Sequence, residues 1–118
     1  MTEQVDATWY SGDSREIDVT AVDANGAALD LTSLTTIYSA QPDDGSAPKV
    51  TLTNSDGITY TDAVNGLMTI AVPKNRIVTP KGRITRWTHS CRCEDGSGNS
   101  VTIFVGVVTV HPSPASPS

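Results

Sequence analysis

The segment His89-Ser-Cys91-Arg-Cys93 places residues that can bind a metal ion at every second position. On an extended strand these side chains share one face, with neighbours about 6.6 Å apart. Two thiolates on one zinc ion must approach to about 4 Å, because each Zn–S bond is about 2.3 Å long. A disulfide bond likewise prefers Cα atoms about 5.5 Å apart. We therefore expect Cys91 and Cys93 to be buried, small apolar thiols, and we predict no metal site and no cofactor.

The other chemically reactive residues do not form a recognisable catalytic set. The two histidines, His89 and His111, lie in a predicted strand and near the C-terminus, and no serine lies in a Gly-x-Ser-x-Gly motif. The turn Gly96-Ser-Gly98 precedes no predicted helix that could bind a phosphate. Asp43-Asp44 and Asp95 lack the ligand spacing of a calcium-binding loop. We predict that the chain is not an enzyme and has no catalytic residues.

These residues must be positioned by β-strands, because apolar and polar residues alternate along most of the chain. Ile17, Val19 and Ala21 alternate with polar residues, and the following Asn25-Gly26 pair favours a tight turn. No segment carries a helical pattern of apolar residues over three turns. The other strand-like segments, separated by turn residues, are 36–40, 49–53, 58–60, 67–72, 83–93 and 101–110.

About eight short strands joined by such turns are typical of a β-sandwich. We predict an all-β, immunoglobulin-like β-sandwich of about seven to nine short antiparallel strands. It covers residues 1–111, and a Pro/Ser-rich C-terminal tail covers 112–118. A small closed barrel is the alternative architecture.

The last predicted strand changes its apolar phase at Gly106. Val101, Ile103 and Val105 share one phase, whereas Val108 and Val110 share the other. A glycine-centred bulge at Gly106 would turn both sets inward, and we expect one there. The alternative is a strand that is buried on both faces.

Charge and hydropathy exclude several classes of partner. Eight Lys and Arg against 13 Asp and Glu give a net charge of −5, so the chain has no general attraction for nucleic acid or anionic lipid. No stretch approaches the roughly 20 apolar residues of a membrane helix. The first residues lack the pattern of a signal peptide, and two closely spaced cysteines make no disulfide framework. We expect synthesis in a reducing cytoplasm, with no nucleic-acid partner and no membrane.

The aromatic residues indicate both a core and a possible interface. Trp87 shares a face with His89 and is expected in the core. Trp9 and Tyr10 are adjacent, so on a strand they face opposite ways, and at least one is exposed or covered by a partner. The alternative places Trp9 in the core and Tyr10 on a half-exposed rim. The candidate interface residues near the two termini are Trp9, Tyr10, His111, Pro112, Pro114 and Pro117.

The order of the motifs is itself informative. Gly12-Asp-Ser14 precedes an alternating strand, Leu29-Asp-Leu-Thr-Ser33 opens into another, and Asp95-Gly-Ser-Gly-Asn99 forms a hairpin before the final Val105–Val110. Over roughly residues 5–112 this order resembles the immunoglobulin-like domain of tailed-bacteriophage structural proteins. That domain is best known as the N-terminal domain of upper baseplate proteins.

The resemblance implies a virion component that docks on the tail, the baseplate or the head lattice. It could decorate the capsid or attach a fibre, through its edge strands and termini. Its partners would be other virion proteins, or repeated copies of itself on a symmetric particle, where many weak contacts add up to strong attachment. The resemblance also implies synthesis in a bacterial host. The alternative is a receptor- or carbohydrate-binding adhesion module, which needs at least two coplanar exposed rings.

Overall fold

The computed structural model describes residues 3–4, 6–23, 25–43, 45, 47–73, 76–77 and 84–112. Within this part of the chain, the only helical element with assigned bounds is a single 3-10 turn, Ala63–Asn65. The nine strands are β1 (Glu3–Gln4), β2 (Ala7–Tyr10), β3 (Arg15–Thr20), β4 (Thr35–Pro42), β5 (Val50–Thr53), β6 (Ile58–Asp62), β7 (Leu67–Val72), β8 (Thr85–Glu94) and β9 (Ser100–His111).

The strands form two sheets that pack face to face. The larger sheet has the order β1-β9-β8-β4-β5, with β2 also beside β9, and the smaller has the order β3-β7-β6. This is the strand arrangement of an immunoglobulin-like sandwich, so the predicted all-β fold is confirmed. Two pairings depart from the expected antiparallel pattern, because β1 and β2 both run parallel to β9.

Alternation along the strands fills the space between the sheets. In β8 every second residue from Trp87 to Cys93 is buried, and in β7 the residues Met68, Ile70 and Val72 are buried. Because successive side chains of a strand point to opposite faces, each sheet contributes one apolar face to a shared core. Ile77, in the connection between β7 and β8, completes it.

The register of β9 contains one irregularity, but it does not lie at Gly106. Cys91 pairs with Phe104 and Arg92 with Thr102, so Ile103 is the extra residue. The bulge therefore turns two successive residues, Ile103 and Phe104, into the core. The predicted bulge at Gly106 is wrong in position, because Gly106 lies in regular register opposite His89. Val101 and Val105 consequently remain exposed.

Two loops, one after β3 and one after β8, have the same construction. In the first, Asp23 Oδ1 accepts hydrogen bonds from the N–H groups of Asn25 and Ala27. In the second, Asp95 Oδ1 accepts from the N–H groups of Ser97 and Asn99. These hydrogen bonds lower the pKa of Asp95, and the one from the Asn99 N–H has the largest effect. Both carboxylates are thus explained as parts of tight turns.

Candidate protein-interaction surface

His89, the residue with the clearest catalytic potential in the sequence, lies inside the core. It is only 1% exposed, and its Nδ1 atom is 2.8 Å from the hydroxyl oxygen of Tyr38 on β4. Edge-to-face contacts surround the imidazole, with ring centroids 5.2 Å from Phe104 and 6.0 Å from Trp9. Such contacts stabilise aromatic cores. The ring therefore packs and positions its neighbours, and it does not face solvent where a substrate could reach it.

The two cysteines are buried and free, as the sequence predicts. Burial, and to a smaller extent the neighbouring Cys93, raises the pKa of Cys91 to about 12. Burial also raises the pKa of Cys93, although a hydrogen bond with Thr36 opposes this shift. A neutral buried thiol is a poor nucleophile and a poor metal ligand. No three His, Cys, Asp or Glu residues of the described ranges are grouped to hold a metal ion.

A chain of polar groups joins the two sheets through the core. The hydroxyl of Tyr60 on β6 donates to the carbonyl of Leu34 at 2.8 Å, and the hydroxyl oxygens of Thr36 and Tyr60 are 2.7 Å apart. Because Tyr60 has one hydroxyl hydrogen, Thr36 must donate to Tyr60. The Cys93 thiol, 3.2 Å from Thr36 Oγ1, then donates to Thr36. Every member of this partly buried chain has a hydrogen-bond partner, so the chain stabilises the sandwich and needs no ligand.

Two surface depressions in the described part of the chain are open to solvent and lined mostly by polar atoms. One of about 360 Å³ lies over Asp6, Ala7, Thr8, Val107 and Thr109. Another of about 270 Å³ lies between the end of β4 and Thr88. Small-molecule sites are usually concave, apolar and fitted with convergent polar groups. These two depressions do not have that character, so neither is a candidate for a small-molecule site.

The candidate interface residues separate into three groups. Trp9 is 3% exposed and packs edge-to-face on Trp87, so it belongs to the core and cannot contact a partner directly. Tyr10 is 37% exposed and lies against His111, with ring centroids 5.3 Å apart. The alternative in which Trp9 is core and Tyr10 lies on the rim is therefore the arrangement found. Pro112 is half-buried beside them, and Pro114 and Pro117 lie outside the described residues.

Among the described residues, three of the four sheet edges are short or interrupted, which discourages further strand pairing. The β1/β2 edge is interrupted at Asp6, whose Oδ1 accepts the N–H of Val107. The other edge strand of the larger sheet, β5, has only four residues and begins directly after Pro48 and Lys49. The β6 edge has a register shift between Tyr60 and Asp62. Interruptions, prolines, lysines and bulges are the usual devices that protect edges.

The β3 edge lacks these backbone interruptions, and the protective feature that it carries is charge, at Arg15, Glu16 and Asp18. All six of its residues pair with β7 in unbroken antiparallel register, from Arg15 opposite Val72 to Thr20 opposite Leu67. Glu16 and Asp18 are exposed on the outer face, and Asp18 Oδ1 accepts a hydrogen bond from Thr69 Oγ1 at 3.0 Å. Ile17 is only half-buried, whereas Val19 on the same side is buried. The alternation in this segment was visible in the sequence, but its place at an edge was not.

Comparison with known proteins gives a likeness in fold. No protein-family model matches the sequence, and no curated protein matches it. Among solved structures, the fold is similar to the N-terminal domain of phage TP901-1 ORF48, with a TM-score of 0.53 and 14% sequence identity, over 96% of this chain and 90% of that one. Murine CRIg gives a TM-score of 0.38 and 10% identity, over 93% and 92%. The resemblance to an immunoglobulin-like phage domain is thus confirmed as a resemblance of fold.

No helix in the described part of the chain has the length and apolar character required to cross a membrane.

Proposed function

We propose that this chain is a non-enzymatic structural component of a bacteriophage virion. It docks on the tail, the baseplate or the head lattice, as a decoration or fibre-attachment part. The observation that carries the proposal is the fold shared with a phage protein domain over 96% of this chain and 90% of that domain. The order of turn and strand motifs in the sequence, which resembles that of the same class of phage domain, supports the proposal independently of the fold.

The distribution of reactive groups supports a role in assembly. His89, Cys91 and Cys93, the residues best suited to catalysis or metal binding, are each at most 2% exposed. The hydrogen bonds of His89 with Tyr38 and of Cys93 with Thr36 account for these two residues as parts of the core, and Cys91 is a buried thiol between them. A domain built in this way acts through its outer faces, its edge strands and its ends. Edge-strand pairing is a known mode of recognition between proteins.

The proposed partners are other virion proteins, with many copies of this chain on a symmetric particle. In such an array a weak contact is sufficient, because simultaneous contacts raise the effective concentration of each one. The exposed Tyr10, with the half-buried His111 against it, forms one candidate contact near the start and the end of the described chain. Location in the virion and synthesis in the bacterial cytoplasm follow from the same proposal.

The carbohydrate-binding alternative is less well supported. Stacking on a sugar needs exposed rings, but Trp9 and Trp87 are 3% and 1% exposed. Tyr60 is half-buried, with its hydroxyl engaged by Leu34 and Thr36. Tyr10 is 37% exposed, and its ring lies against His111. A glycan array that shows no binding is the expected result for the isolated domain.

The decisive experiment is quantitative mass spectrometry of purified virions produced from the genome that encodes this chain. We expect the chain in the particle at a fixed ratio to the major capsid protein, and the ratio should survive a second density gradient. Absence of the chain from the particles would contradict the proposal.

Truncation of the first ten residues is not a suitable test of docking, because it removes Trp9 from the core. Two other variants, removal of residues 113–118 and the substitution Tyr10→Ala, test whether the two ends contribute to docking and leave Trp9 in the core.

A further inference from the structure

We propose that β3 is the edge at which the domain accepts an extended strand of a different virion protein, one that presents Lys or Arg toward Glu16 and Asp18. The inference deepens the docking role proposed above and rests on it. It specifies the edge, the mode of pairing and the chemical character of the partner.

The backbone of β3 is suited to this pairing. Its six residues form an unbroken ladder with β7 on one side, and in the described part of the chain no strand pairs with its other side. In constant-type immunoglobulin domains the first strand occupies that side, as strand A beside strand B. Here the first strands, β1 and β2, pair with β9 of the other sheet instead. An incoming strand at β3 would extend the smaller sheet to the size found in those domains.

The side chains of β3 define what the incoming strand should carry. Ile17 faces the core side but is only half-buried, so an apolar residue beside it would bury further surface. Glu16 and Asp18 lie on the outer face, where they would stand beside alternate residues of the new strand. Opposite charges at such cross-strand positions stabilise a pairing. The complementary strand therefore alternates apolar residues with Lys or Arg.

A second copy of this chain is a poor occupant of the same edge. In an antiparallel two-fold pairing, opposite residues must share a face, so the symmetry axis passes beside a residue of the strand. The two registers that pair five of the six β3 residues have the axis beside Ile17 or Asp18. The first arrangement places Glu16 opposite Asp18 twice, and the second places the two Asp18 residues opposite each other. Like charges directly opposite destabilise a sheet. The tail at 112–118 is also unsuitable, because its three prolines lack the N–H groups that a strand must donate.

Amide NMR of the isotopically labelled domain tests the edge directly. The probe is a capped ten-residue peptide in which valine and lysine alternate, and the control peptide alternates valine and glutamate. We expect the lysine peptide to shift the amide signals of β3 at low salt, and the glutamate peptide to leave them unchanged. Shifts confined to another edge, the same response to both peptides, or no shift at millimolar peptide would each overturn the inference. So would a concentration-dependent dimer formed through β3.

Two charge-reversal variants separate an edge effect from a general effect of charge. Glu16→Lys changes the proposed edge, whereas Asp56→Lys changes an exposed carboxylate in the turn before β6, and each raises the net charge from −5 to −3. We expect Glu16→Lys to weaken binding of the lysine peptide at least about fivefold and Asp56→Lys to change it less than about twofold. Circular dichroism establishes that both variants are folded. Equal weakening by the two variants would contradict a specific role for β3.

Incorporation of the same variants into virions distinguishes this inference from the proposed function. Reduced incorporation of Glu16→Lys, with normal incorporation of Asp56→Lys, supports both. Normal incorporation of both variants leaves the virion role intact but overturns β3 as the docking edge. If the wild-type chain is absent from virions, the proposed function fails, and the inference about a virion partner fails with it. Changes in the β3 amide signals on addition of the lysine peptide would then show only that this edge can pair with a basic strand.

Discussion

Thr36 of β4 and Tyr60 of β6 lie in different sheets, and their hydroxyl oxygens are 2.7 Å apart inside the sandwich. Antibody-type immunoglobulin domains join their sheets at the centre with a disulfide bond between the second and sixth strands of the domain. In this chain both cysteines lie on β8 and are free. A hydrogen-bonded chain from Cys93 through Thr36 and Tyr60 to Leu34 makes the connection between the sheets instead.

Substitution at either end of the Thr36–Tyr60 pair should lower stability. We expect Tyr60→Phe and Thr36→Val each to reduce the free energy of unfolding by about 1–2 kcal/mol, because each leaves a buried partner without its hydrogen bond. The double variant should cost less than the sum of the two, since both remove the same contact. Urea unfolding followed by fluorescence measures the free energy of unfolding of each variant.

Thr59→Val, at an exposed position of β6, is the control and should change stability by no more than about 0.5 kcal/mol. Strict additivity of the pair would show that the bridge is unimportant.

The adjacent residues Trp9 and Tyr10 should respond oppositely to truncation. Trp9→Ala removes a buried indole that packs on Trp87 and His89, so we expect a loss of about 3–5 kcal/mol or failure to fold. Tyr10→Ala removes a ring on the rim and should cost about 1 kcal/mol or less. Thermal denaturation of the two purified variants distinguishes these outcomes. If Trp9→Ala were as stable as the wild type, the N-terminal strand would not belong to the core.

Two glycines with similar backbone angles should tolerate alanine to different degrees. Gly66 (φ +75°) lies in the turn before β7, where an added Cβ would collide with the backbone carbonyl of Ala21 and lie 2.9 Å from that of Leu29. Gly98 (φ +89°) has no atom within 4 Å of such a Cβ. We expect Gly98→Ala to cost about 1 kcal/mol, from the left-handed conformation alone, and Gly66→Ala about 3 kcal/mol or more. Chemical unfolding of the two variants provides the comparison. Equal losses would mean that the loop relaxes around Gly66.

The stability of the domain should fall at alkaline pH because of its buried thiols. The pKa of Cys91 is raised to about 12, so the thiol stays neutral in the folded state while it ionises near pH 8.5 in the unfolded chain. Above that pH the unfolded state binds fewer protons than the folded state, and stability decreases as pH rises. We expect Cys91 to account for about 1–2 kcal/mol of loss between pH 8 and pH 10.

The control for this pH effect is Cys91→Ala, which should flatten that part of the pH profile whatever its own effect on stability at neutral pH. Reaction of the native protein with a thiol reagent at pH 8 should be slow and should follow the unfolding rate. An unchanged alkaline profile in Cys91→Ala, or rapid labelling of the folded protein, would contradict the burial of this thiol.

Several features were predictable because they depend on local chemistry. The alternation at Ile17, Val19 and Ala21 and the turn residues around Asn25 and Asp95 indicated strands and turns, since side-chain period and turn conformation are decided by neighbours in the chain. The same-face arrangement of Trp87, His89, Cys91 and Cys93 followed from that period. Their burial, however, depended on which face of β8 met the second sheet.

The bulge in β9 shows where local reasoning fails. Gly106 was the natural place for it in the sequence, yet the extra residue is Ile103. A bulge is positioned by the pairing with the neighbouring strand and by the volume that the core must fill, and here it brings both Ile103 and Phe104 inward. Neither the strand pairing nor the core volume can be inferred from the residues around a glycine.

The sequence by itself determined that the chain forms short strands and tight turns and that it bears a net negative charge, because these properties belong to residues and their immediate neighbours. Only the tertiary structure decided that the first strands pair with β9, that β3 is an edge, and that Trp9 is interior while Tyr10 is on the rim. Those outcomes follow from contacts between residues as far apart as Ala7 and Val108. Such contacts are selected by the packing of the whole sandwich, which no local segment specifies.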